Sequence, residues 1–189
     1  MNILLLNGSP REKGNTSILL DAVHQGIVQS GQVAERIDLP LLDIHPCTGC
    51  GHCEQTGECI FDDDMQELYL KIANAQRIVI GSPIYFYSIT AQAKAFIDRC
   101  QVFYSRKYLL GQTSDDRTNK KGYFVSVGAT GGYKLFDGVQ LTIRYAYDAM
   151  DFTYNGGILV KGADNEGAIN EQKEKLVQAV ELGRQLCVE

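Results

Sequence analysis

Apolar and polar residues along this chain follow two rhythms, and the rhythms take turns. Residues 3–6 are an unbroken apolar run, as expected of a strand covered on both faces. A Gly/Pro/polar turn fills residues 7–15, and Leu19, Val23 and Ile27 then recur at i, i+4, i+8 in a helix that ends near Gly31. Residues 33–39 read as a second strand. A cysteine-rich stretch follows, after which Asp62, Asp63 and Asp64 open a helix to about Asn74, acidic residues suiting the positive end of its dipole. Residues 77–81 are a third strand, again nearly all apolar. Residues 90–103 predict a helix with Ala93, Phe96, Ile97 and Cys100 on one face. A fourth strand (123–127), a helix (139–150), a fifth strand (152–160) and a closing helix (171–186) complete the pattern. Leu176, Val180, Gly183 and Cys187 form one stripe of that last helix. Cys100 and Cys187 are therefore expected to act as small packing residues. No repeat or low-complexity tract interrupts the pattern, so residues 1–189 are expected to form a single domain.

Five strands alternating with five helices specify an α/β fold. The sheet is parallel with helices on both faces, because each crossover must be right-handed and return across it. Two strand orders fit, a dinucleotide-binding half and the flavodoxin-like 2-1-3-4-5. The first strand–helix turn separates them. It carries no G-x-G-x-x-G, since Gly8, Gly14 and Gly26 have the wrong spacing, and no P-loop. It offers instead the hydroxyls of Ser9, Thr16 and Ser17, the amide of Asn15, and Arg11, all able to surround one phosphate at a helix N-terminus. A lone phosphate held this way is what a mononucleotide such as FMN requires. A simple helix cap accounts for one of those polar residues, not for five.

Two further segments belong at the same end of the sheet. Pro83, Ile84, Tyr85 and Phe86 follow the third strand, and Gly128, Ala129, Thr130, Gly131 and Gly132 follow the fourth. In the 2-1-3-4-5 order these loops and the first turn converge beside the switch point. Aromatic residues can flank a flat ring, and a glycine-rich loop can offer N–H groups to its edge. Tyr85, Phe86 and Tyr87 also suit a subunit contact.

Composition narrows the class without naming a reaction. Hydrophobic residues at 44% and charged residues at 22% are ordinary for a globular protein. A net charge of −5, with no Lys/Arg cluster among aromatics, argues against nucleic acid as a partner. The first apolar run stops at four residues and lacks a basic flank, so neither a signal peptide nor a membrane span is expected. The expected location is the cytoplasm, where a disulfide framework does not persist.

Four of the six cysteines, Cys47, Cys50, Cys53 and Cys59, fall in one C-x2-C-x2-C-x5-C run within residues 46–61. Thiolates this dense can close round one inorganic cube, and Gly49, Gly51 and Gly57 let the backbone bend and aim N–H groups at sulfur. Structural zinc, a disulfide pair and four free thiols are the other readings. Zinc sites usually draw on two separate knuckles, and no second knuckle occurs. His52 lies inside the motif and reads as a turn residue.

These pieces together resemble the NAD(P)H-dependent FMN reductase-like flavoproteins, and within them the iron–sulfur flavoproteins of anaerobes. The resemblance rests on Gly8-Ser-Pro-Arg with Gly14-Asn-Thr-Ser17, on the cysteine run with Asp62-Asp-Asp-Met65, and on Gly81-Ser-Pro-Ile-Tyr85 with Ala91 to Arg99. It covers the N-terminal half closely and the rest more loosely. It implies a flavodoxin-like fold and a homodimer or homotetramer with each flavin near a subunit boundary. Ser9, Arg11, Asn15, Thr16 and Ser17 would hold the FMN phosphate. Pro83, Ile84, Tyr85, Phe86 and residues 128–132 would surround the ring, and Cys47, Cys50, Cys53 and Cys59 would ligate a 4Fe–4S cluster. The expected function is electron transfer between a small-molecule or protein donor, FMN and the cluster, with no catalytic side chain. An FMN-only reductase of quinones, flavins or nitro and azo compounds is the first alternative. A flavin-free, zinc-stabilised interaction protein is the second.

Overall fold

The structure, a computed structural model, describes residues 1–112 and 119–188. Five strands form one parallel sheet in the order β2-β1-β3-β4-β5: β1 (Ile3–Asn7), β2 (Ala34–Asp38), β3 (Arg77–Gly81), β4 (Lys121–Gly128) and β5 (Thr153–Lys161). This is the flavodoxin-like order. β1 lies between β2 and β3, with Leu5 opposite both Arg36 and Val79.

The unbroken apolar strands are explained by what covers them. Leu4, Leu6, Ile78, Ile80 and Phe124 face helices α3 (Met65–Asn74), α4 (Ala91–Arg99) and α6 (Asp137–Ala149). Ile3, Leu5, Val79 and Val125 face α1 (Asn15–Gln29) and α7 (Lys173–Gln185). Successive side chains point to opposite faces of a strand, so burial on both sides demands apolar residues at every position. Each one fully buried contributes about 1.5–3 kcal/mol. The α1–α7 pair is close because both helices present glycine at the crossing. A Cβ on Gly26 would meet Val180 O at 1.9 Å, and one on Gly183 would meet Val23 O at 2.0 Å.

Three local departures from the sequence reading matter for the site. The helix expected over 90–103 divides at Cys100 into α4 and α5 (Gln101–Tyr104). It then runs on as a π-helical turn, Ser105–Leu109, closed by the Leu110 N–H donating to Ser105 O. The connector between residues 105 and 120 thus begins as helix, and its residues 113–118 lie outside the described residues. The cysteine stretch contains a short helix, α2 (His52–Thr56), between Gly51 and Gly57, whose φ angles of 76° and 74° are left-handed. The helix expected from Asp62 begins only at Met65, because Asp63 is drawn into a buried ion pair rather than into the helix dipole.

Candidate functional site

The turn after β1 is fixed before any ligand is considered. Asn7 Nδ2 donates to Asp38 Oδ1 at 2.6 Å, and its Oδ1 accepts the Ser9 N–H at 3.1 Å. The Gly8 N–H donates to Gly81 O, and Gly8 O accepts the Thr90 hydroxyl, each at 2.7 Å. Ser82 Oγ accepts the Thr90 N–H, and the Ser126 hydroxyl donates to Ser82 O. Buried hydroxyls thus lock the C-terminal ends of β1, β3 and β4 to one another.

A cavity of about 100 Å³ opens at the start of α1. Ser9, Arg11, Gly14, Asn15 and Thr16 line one side, and Pro83, Ile84, Tyr85 and Ala129 line the other. The N-cap of α1 is Gly14, and no side chain caps the first turn. Its leading N–H groups have no intrahelical acceptor and carry the positive end of the helix dipole. Thr16 Oγ1 is fully buried without a hydrogen-bond partner, a state that costs about 1–3 kcal/mol. An anion at this helix start would satisfy both. A larger hollow of about 690 Å³ between β5 and α7, near Tyr123 and Glu181, combines no such features and lies at the other end of β4.

The structure gives two expected phosphate ligands other partners. Asn15 Nδ2 donates to Ala163 O and Asn165 O, and its Oδ1 accepts the Ile169 N–H. Its amide therefore clamps the loop after β5 as a wall of the cavity. The Ser17 hydroxyl accepts from Arg36 Nη2 at 2.6 Å, and Arg36 also pairs with Asp38 and Asp21. Ala163 and Asp164 line the cavity and were not anticipated. The short polar segment after a strand adjacent to β4 was the available signal.

Tyr85 and Ser88 exchange backbone hydrogen bonds at 2.9 Å, so Phe86 and Tyr87 form a two-residue turn with φ of 50° and 61°. Both are non-glycine residues in the left-handed region, which strains the backbone. The turn displays Phe86 fully to solvent, away from the cavity lining. Tyr87 reaches back to residues 128–132, where a Cβ on Gly132 would stand 2.4 Å from its hydroxyl. Thr130, Gly131 and Gly132 do not line the cavity itself.

The cysteine loop leaves the same edge of the sheet, after β2. All six cysteines are free. Cys47 and Cys50 are exposed, whereas Cys53 and Cys59 pack partly against the core. Among the described residues no three His, Cys, Asp or Glu side chains are gathered closely enough to hold a metal ion. The donor set suits an iron–sulfur cluster, with four uncrosslinked thiols on one loop and Gly49, Gly51 and Gly57 all at positive φ.

The ends of that loop are strapped down by Arg99, whose side chain is fully buried. Arg99 Nη1 donates to His45 O at 2.8 Å and to Asp63 Oδ2 at 2.5 Å, and Nη2 donates to Asp63 Oδ1 at 3.0 Å. The guanidinium lies over the Phe61 ring, which stacks on His45. Burial works against the Asp63 charge. Hydrogen bonds from Arg99 and from the His45 and Met65 N–H groups outweigh it and hold the carboxyl below the usual range. Burial likewise pushes the Cys100 thiol well up, consistent with a packing residue.

Over residues 1–146 the chain matches the family described as NADPH-dependent FMN reductase, and it belongs to that family of FMN-dependent oxidoreductases. Its relatives place it in the iron–sulfur flavoprotein branch. An iron–sulfur flavoprotein of Archaeoglobus fulgidus is 40% identical over 105 residues, 56% of this chain and 48% of that protein, so the chain spans about half that relative's length. One from Methanosarcina thermophila is 28% identical over 96% of both chains. The NAD(P)H:quinone oxidoreductase of Methanothermobacter marburgensis shares the fold, with a TM-score of 0.76 at 17% identity over 100% of this chain and 97% of its own. No helix among the described residues is long and apolar enough to cross a membrane.

Proposed function

We propose that residues 1–189 act as one unit, an iron–sulfur flavoprotein that passes electrons between a reduced donor, FMN and a 4Fe–4S cluster. The observation that carries this reading is the pairing of two features on one sheet edge. One is an anion-sized cavity with an orphan hydroxyl at the start of α1, and the other is a loop of four free thiols after β2. FMN supplies hydride acceptance with one-electron release, and the cluster supplies single-electron transfer.

The residues of this chain bind and orient. The Thr16 hydroxyl, Ser9, Arg11 and the first N–H groups of α1 would hold the phosphate. Asn15 and Ser17 keep the cradle in shape through the loop after β5 and Arg36. Pro83, Ile84, Tyr85 and the loop from Gly128 would flank the ring at the mouth of the cavity. Cys47, Cys50, Cys53 and Cys59 would ligate the cluster, and no side chain is assigned a proton to move. The solvent-facing Tyr85–Tyr87 turn would meet a second copy of the chain in a homodimer or homotetramer.

Flavin, iron and acid-labile sulfide are to be measured on anaerobically purified protein. The reading expects stoichiometric FMN with four iron and four sulfide per chain. FMN without iron would favour the FMN-only reductase, a reading that the ungathered thiols also accommodate. Zinc without flavin would leave the interaction protein.

A further inference from the structure

The π-helical turn lies against the cysteine loop, and its first two residues both grip α2. Ser105 is fully buried, and its hydroxyl donates to Cys53 Sγ at 3.4 Å. The next side chain, Arg106, donates from Nε to Gly57 O at 2.7 Å, at the end of the helix that carries Cys53. Gly57 in turn donates its N–H to Cys53 O at 2.9 Å. The wider i→i+5 spacing, with the Leu110 N–H on Ser105 O, is the kind of local irregularity that recurs at functional sites.

We propose that Ser105 is a positioning residue for Cys53, holding its sulfur by an O–H···S hydrogen bond and thereby setting the ease with which the metal centre on that sulfur accepts an electron. This rests on the iron–sulfur reading for its redox consequence, but the contact itself does not. A donated hydrogen bond withdraws electron density from sulfur, so it favours the reduced, more negative state of a cluster. Cys47 and Cys50 are exposed, while Cys53 is half-buried against the element that supplies the donor. Among the described residues, Cys53 is the one member of the four with a side-chain hydrogen bond of this kind.

The test compares wild type, Ser105→Ala and Ser105→Thr, prepared anaerobically, with bound FMN as the check that each is folded. In the loaded proteins a potentiometric titration should show the Ala variant reduced about tenfold less favourably, about 59 mV lower for one electron, with Thr restoring the wild-type value. Loss of the cluster from the Ala variant alone would also support the role. An unchanged potential in a loaded Ala variant overturns it. If wild type holds FMN but no iron or sulfide, the iron–sulfur reading fails by itself, and the contact is then read from thiol alkylation by mass spectrometry. Cys53 should react roughly twofold to tenfold more slowly in Ser105→Ala, which lacks the donor that stabilises the thiolate, while Cys47 does not change. Equal Cys53 rates would overturn the proposal.

Discussion

The turn after β1 and the loop after β2 leave the same edge of the sheet on neighbouring strands, yet they are shaped by different means. In the first, Gly8, Ser9, Gly14, Thr16 and Ser17 are all buried, and backbone and hydroxyl bonds from β3, β4 and α4 fix them in place. In the second, the ends are held by Arg99 and Asp63 and α2 by Ser105 and Arg106, while residues 46–50, with Cys47 and Cys50, lie exposed. A phosphate can be recognised by donors that already point one way, since a helix start provides them without cost. A cluster supplies its own bonds, so its ligands need only lie within reach on a chain that can bend, as three left-handed glycines permit.

If that contrast is right, the largest effects come from the cysteines themselves. Replacing Cys47, Cys50, Cys53 or Cys59 by Ala should abolish stoichiometric iron in each case, while FMN content stays at the wild-type level. Ala at Cys100 or Cys187 should leave both intact. Loss of FMN from the four loop variants would show that the two loops are one site rather than two.

Next in size is the strap. Asp63→Ala leaves Arg99 buried without its counter-charge and should destabilise the protein by about 3–5 kcal/mol, measured by urea unfolding. A loss under about 1 kcal/mol, the size of a surface pair, would mean that the loop ends are not anchored there. The cradle behaves differently. Thr16 Oγ1 has no partner to lose, so Thr16→Ala should barely change the stability of the FMN-free protein. It should weaken FMN binding by roughly 1.5–3 kcal/mol, the range for a hydrogen bond to a charged group. Fluorescence titration checks this, and unchanged affinity removes Thr16 from the phosphate site.

The smallest effect is acid sensitivity. Asp63 has a lowered folded pKa, so its contribution is complete above the unfolded value of about 3.9 and is lost as pH falls through the folded value. The stability gap between wild type and Asp63→Asn should therefore be constant from pH 7 to about pH 5 and narrow below about pH 4. A gap independent of pH would contradict the ion-pair account.

Much of this was readable from residue order. The sheet order followed from apolar runs at residues 3–6 and 77–81 together with the absence of a dinucleotide fingerprint, because double-sided burial leaves a strong pattern. Thr16 and the cavity were legible through polar residues clustered at a helix start. The bonds of Asn15 and Ser17 to Ala163, Asn165 and Arg36 were not legible, because these partners are distant in sequence and no periodicity connects them. Asp63 read as a helix-dipole residue because a lone Arg99 on an apolar helix gives no local sign of its ion pair. Helix α2 and the π turn were invisible for a related reason. The first is set by two glycine φ angles and the second by a single shifted hydrogen bond.

The claim that one loop is pre-formed and the other closes on its cofactor is tested most directly by amide hydrogen–deuterium exchange on anaerobically loaded protein and on the same protein stripped of FMN and metal. Residues 44–61 should gain far more protection on loading than residues 8–17. Equal gains in the two segments, or protection of 44–61 already complete in the stripped protein, would contradict it.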